Sequence, residues 1–125
     1  MDETTLYDRV GGQPFFDALV ASFYEGVMSD ELLAPMYQGD LDAAQRHLAL
    51  FIAQYWGGPR TYSEERGHPR LRMRHAPYRI TKRARDAWLT HMRAAVEAVG
   101  GELSEDDRFE MDAYFEMAAK SLRNV

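Results

Sequence analysis

An all-α protein is the fold class that this sequence predicts, and three observations carry it. Apolar residues recur at spacings of three and four through four long segments, which puts them on one face of a helix. No segment alternates apolar and polar residues cleanly, as a half-buried strand would. Helix stops follow two of the periodic segments, Gly57-Gly58-Pro59 after one and Gly100-Gly101 after another.

The elements follow in order. Pro14 suits the first turn of a helix, and Phe16, Leu19, Val20, Phe23, Tyr24 and Val27 give that helix its apolar face. A short helical turn is expected over 31–33, ending near Pro35. The next helix begins near Asp40 and Asp42, where carboxylates favour an N-terminus. Its expected face is Leu41, Ala44, Leu48, Phe51, Ile52 and Tyr55. Residues 57–71 read as an irregular loop, and a loop this long in a small domain usually has a function. Thr81 can cap a further helix carrying Ala84, Trp88, His91, Met92, Ala95 and Val99. Ser104-Glu105-Asp106-Asp107 resembles a capping box with Asp in place of Glu. It opens a last helix with Phe109, Tyr114, Phe115, Met117, Ala118 and Leu122. The expectation is four main helices in two antiparallel pairs, interrupted by one long loop.

Length and charge bound the function. The chain has 125 residues, which suits one domain over 1–125. A net charge of -5 disfavours non-specific nucleic-acid binding. With no Cys, disulfides, thiolate metal sites and iron–sulfur clusters are excluded. The start, Met1-Asp2-Glu3-Thr4, lacks the features of a signal peptide, and no apolar run approaches the roughly 20 residues that span a bilayer. A cytoplasmic location is the expectation. Basic residues concentrate at Arg60, Arg66, Arg70, Arg72, Arg74, Arg79, Lys82, Arg83 and Arg85. They form either a solvated face or a docking surface for an acidic ligand or partner.

No HExxH, GxGxxG, Walker or GxSxG pattern occurs, and no Ser pairs with a His as a nucleophile. Among His47, His68, His75 and His91, His75 stands apart. It lies in Leu71-Arg72-Met73-Arg74-His75-Ala76-Pro77-Tyr78, an apolar slot with one imidazole and flanking cations. Haem needs apolar walls, a neutral imidazole for the iron, and cations near its propionates. The alternative is a histidine packed in a hinge between helices. Tyr24, Tyr37 and Trp88 sit at or near interior positions, and a buried hydroxyl or indole N–H needs a partner. They are either core aromatics or convergent donors to a polar ligand.

A longer pattern narrows the choice. It runs from Leu6-Tyr7-Asp8-Arg9-Val10-Gly11-Gly12 through Phe23-Tyr24 to Phe51-Ile52-Ala53-Gln54-Tyr55-Trp56-Gly57-Gly58-Pro59. It continues from Tyr62 through Gly67-His68-Pro69 to Tyr78, then to Trp88 and Glu116-Met117-Ala118-Ala119. Over nearly its whole length the chain resembles the group II truncated haemoglobins, the two-over-two globins of bacteria and plants, most of all the actinobacterial members. The resemblance implies a truncated globin fold, a two-over-two helical sandwich around haem b. His75 then matches the proximal ligand of a pentacoordinate iron. Tyr24, Tyr37 and Trp88 match the distal residues that stabilise a bound gas. Ala44 stands where larger globins carry a distal His, with Leu48 one turn on. Phe51, Leu71, Met73 and Tyr78 complete the cofactor walls. His47 lies where a basic residue often meets a propionate, and Tyr62 and Arg74 are further rim residues. Around Gln38-Gly39-Asp40 the chain is shorter than some relatives. The implied function is reversible binding of oxygen and other diatomic gases. The implied role is oxygen, nitric oxide or peroxide chemistry rather than bulk transport, and a dedicated nitric oxide dioxygenase or peroxidase-like enzyme is the alternative. A reductase partner and a homo-oligomer stay open.

Overall fold

The computed structural model describes residues 4–37 and 39–125. Residues 1–3 of the start sequence and Gln38 of the corner lie outside the described residues, as does the side chain of Arg72. The described residues form helices and turns with no strand. The helices are α1 (Leu6–Arg9), α2 (Gln13–Met28), α3 (Leu41–Tyr55), α4 (Thr61–Arg66), α5 (Leu71–His75), α6 (Lys82–Val99) and α7 (Glu105–Leu122). A 3-10 turn at Ala34–Met36 follows α2. The four long helices are the four read from periodicity. α2 packs on both α3 and α6, and α6 packs on α7. No helix among the described residues is long and apolar enough to cross a membrane.

The departures from expectation have local causes. The turn expected over 31–33 forms, and the 3-10 turn at Ala34–Met36 extends it toward Tyr37. Asp30 Oδ1 accepts from Leu32 N–H at 2.8 Å, and the Asp30 carbonyl accepts from Ala34 N–H at 2.8 Å. The second of these is the i to i+4 bond that closes a helical turn over 31–33, and Pro35 is tolerated in the first turn that follows. The loop read over 57–71 contains α4 and the start of α5, of six and five residues. Helices this short show no periodicity of their own.

The buried face of α3 is Ala49, Ile52 and Ala53. Leu41, Ala44, Leu48 and Phe51 are half-buried, and Tyr55 is exposed. In α7 the buried stripe is Asp107, Met111, Phe115 and Ala119, at steps of four. Phe109, two positions off that stripe, points outward and is 77% exposed, and Met117 is exposed for the same reason.

Two contacts at the chain's beginning lock the fold. Thr5 and Asp8 form the capping box of α1, and Tyr7 N–H donates to the Trp56 carbonyl at 3.0 Å. Gly57 and Gly58 let α1 come this close. A Cβ on Gly57 would stand 2.5 Å from Thr5 Cβ, and one on Gly58 would stand 2.7 Å from the Tyr7 ring. The expected capping box at Ser104 is half formed. Ser104 Oγ accepts from Asp107 N–H at 3.1 Å, but the Asp107 carboxylate turns away from its own N-cap. It accepts instead from Arg9 Nε and Nη2, at 3.1 and 2.8 Å.

This fork of hydrogen bonds from Arg9 holds the Asp107 carboxyl below the usual carboxylate range, against the opposing effect of burial. A lowered folded-state pKa stabilises the fold above the unfolded pKa. That contribution is lost as pH falls through the folded value. Asp107→Asn should therefore lower the melting temperature at neutral pH. The gap from the parent should close as pH drops below about 4, which thermal unfolding over a pH series will read.

Candidate functional site

The site grows from α5, a helix of five residues with His75 at its end. The His75 ring turns back along its own helix, and Nδ1 lies 2.6 Å from the Leu71 carbonyl oxygen. A carbonyl oxygen can only accept, so Nδ1 carries the proton and donates it. In the neutral ring, Nε2 then keeps the lone pair. This is the arrangement that prepares an imidazole for a metal, because the second hydrogen bond sets both tautomer and ring orientation.

His75 lies in the walls of two adjoining cavities. Tyr37, Trp88 and Leu122 belong to both, so the two are sides of one slot. On the first side stand Tyr24 from α2, Leu48 and Phe51 from α3, and Leu71 from α5. On the second stand Tyr78, Ile80 and Arg85, from the end of the α5–α6 connection and the first turn of α6. The walls are mainly apolar, with a few polar groups of fixed position, as ligand sites generally are.

Those polar groups form a small network. The rings of Tyr24 and Tyr37 meet edge to face, 5.5 Å apart at 81°. Trp88 is held at 5.3 Å against Phe23 and at 6.2 Å against Phe115. Burial raises the Tyr24 hydroxyl to about 12. Burial raises Tyr37 further, with the neighbouring Tyr24 adding to it, while a hydrogen bond with Trp88 works the other way. The indole N–H can only donate, so it donates to the Tyr37 hydroxyl oxygen. The Tyr37 proton is then left for another acceptor. Both phenols are neutral donors across the physiological range.

The structure thus brings Tyr24, Tyr37, Trp88 and His75 to one slot, with Leu48, Phe51, Leu71 and Tyr78 in its walls. Five sequence candidates stand elsewhere. Ala44 packs half-buried against the core. His47 Nδ1 accepts from Arg66 Nη1 at 3.3 Å, and burial followed by the Arg66 and Arg46 charges lowers its pKa. Tyr62 is buried against Phe51, with ring centroids 5.2 Å apart. Met73 is 59% exposed. Arg74 Nε donates to the Pro69 carbonyl at 2.8 Å on the surface.

The sequence reading missed Leu33 and Met36 of the corner, and Tyr114, Ala118 and Leu122 of α7, as wall residues. The periodicity of α7 marked Tyr114, Ala118 and Leu122 as inward-facing but could not separate core from cavity. Arg85 was read only as part of the basic run. Its guanidinium is largely shielded, held by Asp86 Oδ1 at 2.9 and 3.0 Å.

The donor set fits a haem. One imidazole lone pair offers an axial ligand, apolar walls accept a macrocycle, and Arg85 places a cation in the wall. Among the described residues no three His, Asp or Glu side chains gather as a metal site. A helical protein with a slot for a flat, metal-bearing group is the class that fold and site define.

Comparison with known proteins carries this further. Residues 5–121 match the profile of the bacterial-like globins, and the chain belongs to that family. It is 46% identical over 101 residues to the group 2 truncated haemoglobin YjbI of Bacillus subtilis, covering 79% of this chain and 76% of that protein. A thermostable haemoglobin from the actinobacterium Thermobifida fusca superposes with a TM-score of 0.92 at 53% identity, over 98% of each chain. The haemoglobin of Chloroflexus aurantiacus gives 0.94 at 48% identity, over 98% of this chain and 100% of that one. The group II truncated haemoglobin resemblance read from the sequence holds, and membership in this family implies haem.

Proposed function

We propose that the protein binds oxygen and other diatomic gases reversibly at a pentacoordinate haem b, with His75 as the proximal ligand. The observation that carries this reading is the His75 Nδ1–H bond to the Leu71 carbonyl, which reserves Nε2 for a metal inside an apolar slot. When bound, the haem would supply an iron that can take up a diatomic gas. The other tasks fall to this chain's residues. His75 anchors, and Leu48, Phe51 and Leu71 exclude water. The Tyr37 hydroxyl, set by Trp88, and the Tyr24 hydroxyl donate hydrogen bonds to a ligand that carries partial negative charge. Such donors slow release, which favours oxygen, nitric oxide or peroxide chemistry over bulk transport. This reading includes a single globin domain over 1–125, acting in the cytoplasm and served by a reductase.

A reductase needs a docking face, and charge marks one. Carboxylates pair off elsewhere: Asp107 with Arg9, Glu65 with Arg46, Asp112 with Arg93, and Glu97 with Arg108. Among the described residues Arg60, Arg70, Arg79, Lys82 and Arg83 take part in none of these pairs. An acidic electron donor would meet a cationic surface beside the His75 segment.

Three outcomes follow. His75→Ala should lose the normal ferrous spectrum and most haem occupancy; retention of both would mean that another residue is the ligand. Tyr37→Phe should speed oxygen release by about ten- to a hundredfold, the range for losing a hydrogen bond to a charged group. Trp88→Phe should act in the same direction by a smaller factor, because it leaves the Tyr37 hydroxyl in place but free to rotate, and the double variant should be less than additive. Stopped-flow release of oxygen from the three proteins reads this, with carbon monoxide, which carries less charge, changing less. Reduction by an acidic flavoprotein should slow when salt rises from about 0.01 to 0.15 M, as the Debye length shrinks from about 30 to 8 Å. A rate indifferent to salt would remove the docking face from the reading.

A further inference from the structure

The helix that carries His75 is weak by itself. It has five residues, its N-cap Arg70 gives no side-chain hydrogen bond, and Arg70 sits at φ 50°, in the left-handed region. A non-glycine residue there is disfavoured, and an isolated turn this short does not hold its own geometry. The orientation of the imidazole therefore has to come from outside α5. On its N-terminal side Arg74 Nε reaches the Pro69 carbonyl. On its C-terminal side the support comes from the far end of the chain.

Asn124 lies beyond the end of α7 and clasps the segment that leads from His75 to α6. Its Oδ1 accepts from Ile80 N–H at 2.9 Å. Its Nδ2 donates to the Tyr78 carbonyl at 2.9 Å and stands 3.4 Å from the His75 carbonyl. Its own N–H donates to the Ile80 carbonyl at 3.0 Å. A backbone N–H can only donate and a carbonyl can only accept, so the amide has a single orientation that satisfies both. No other side chain among the described residues bonds to the main chain of this segment on both its donor and acceptor sides.

We propose that Asn124 is a positioning residue for the proximal histidine: by tying residues 75, 78 and 80 to the end of α7, it sets the angle at which His75 presents Nε2 to the slot. The inference rests on His75 as the iron ligand. It requires an amide at position 124, because an aspartate keeps the acceptor for Ile80 N–H but loses the donor and sets its charge against two carbonyls.

The test uses the ferrous and ferric holoprotein of the parent, Asn124→Ala, Asn124→Asp, Ser104→Ala and His75→Ala. Ser104→Ala removes the N-cap of α7 and so destabilises the same helix without touching the clasp. The readouts are the iron–histidine stretching band by resonance Raman, haem transfer to an apoglobin acceptor, and thermal unfolding. Asn124→Ala should shift or broaden the band and speed haem release about tenfold, the equivalent of one to two lost hydrogen bonds. Asn124→Asp should do the same while remaining folded. Ser104→Ala should lower the melting temperature and leave the band in place. A parental band with release within about twofold in both Asn124 variants overturns the proposal, as does a band that moves equally in Ser104→Ala. His75→Ala separates the two levels. If it keeps the parental band, the ligand assignment fails; if it abolishes the band while the Asn124 variants do not alter it, only the positioning role fails.

Discussion

Building an apolar slot for a flat group inside a chain of 125 residues constrains every helix, because side chains that line the slot give up contacts with neighbouring helices. The walls are accordingly made of large, rigid groups. Trp88 is braced by Phe23 and Phe115, and Tyr24 by Phe23 and Tyr37. Leu48 and Phe51 of α3 are half-buried for the same reason, since they face the slot rather than another helix. A group filling the slot would restore these contacts and stabilise the fold by linkage.

The two sides of the slot are built differently. Tyr24 and Trp88 belong to helices of 16 and 18 residues, packed directly on each other, so their placement is a property of the core. His75 belongs to a five-residue helix between two connections, and its geometry depends on a few hydrogen bonds to backbone groups. One of these, within α5, selects the tautomer. Those made by Asn124 come from a residue 44 to 49 positions away. The His75 side is thus stiffened by specific bonds and the side of Tyr24 and Trp88 by packing.

Charge is distributed with similar economy. Carboxylates of α4, α6 and α7 meet arginines of α1, α3, α6 and α7 in pairs between helices. Asp107 with Arg9 joins the first and last helices, and Arg93 with Asp112 joins α6 to α7. Exposed pairs of this kind contribute little each. Their effect is to leave the region around His75 with uncompensated cations in a chain whose net charge is -5.

By itself the sequence determined the four long helices, their caps and stops, and the family. Periods of three and four repeated over 15 to 18 residues are a strong signal, and Gly57-Gly58 marks both a stop and a close approach. The sequence also singled out His75, Tyr24, Tyr37 and Trp88, although it could not show that they converge. Only the tertiary structure decided which inward-facing residues meet a core and which meet a cavity, as with Ala49 beside Leu48, or Met111 beside Tyr114. It placed Met73 in solvent and Tyr62 behind Phe51, because α4 and α5 are too short for periodicity to orient them. It also revealed that Asp107 leaves its own cap for Arg9, and that Asn124 reaches back to the His75 segment. Hydrogen bonds across such separations depend on where the chain returns in space, which no local pattern encodes.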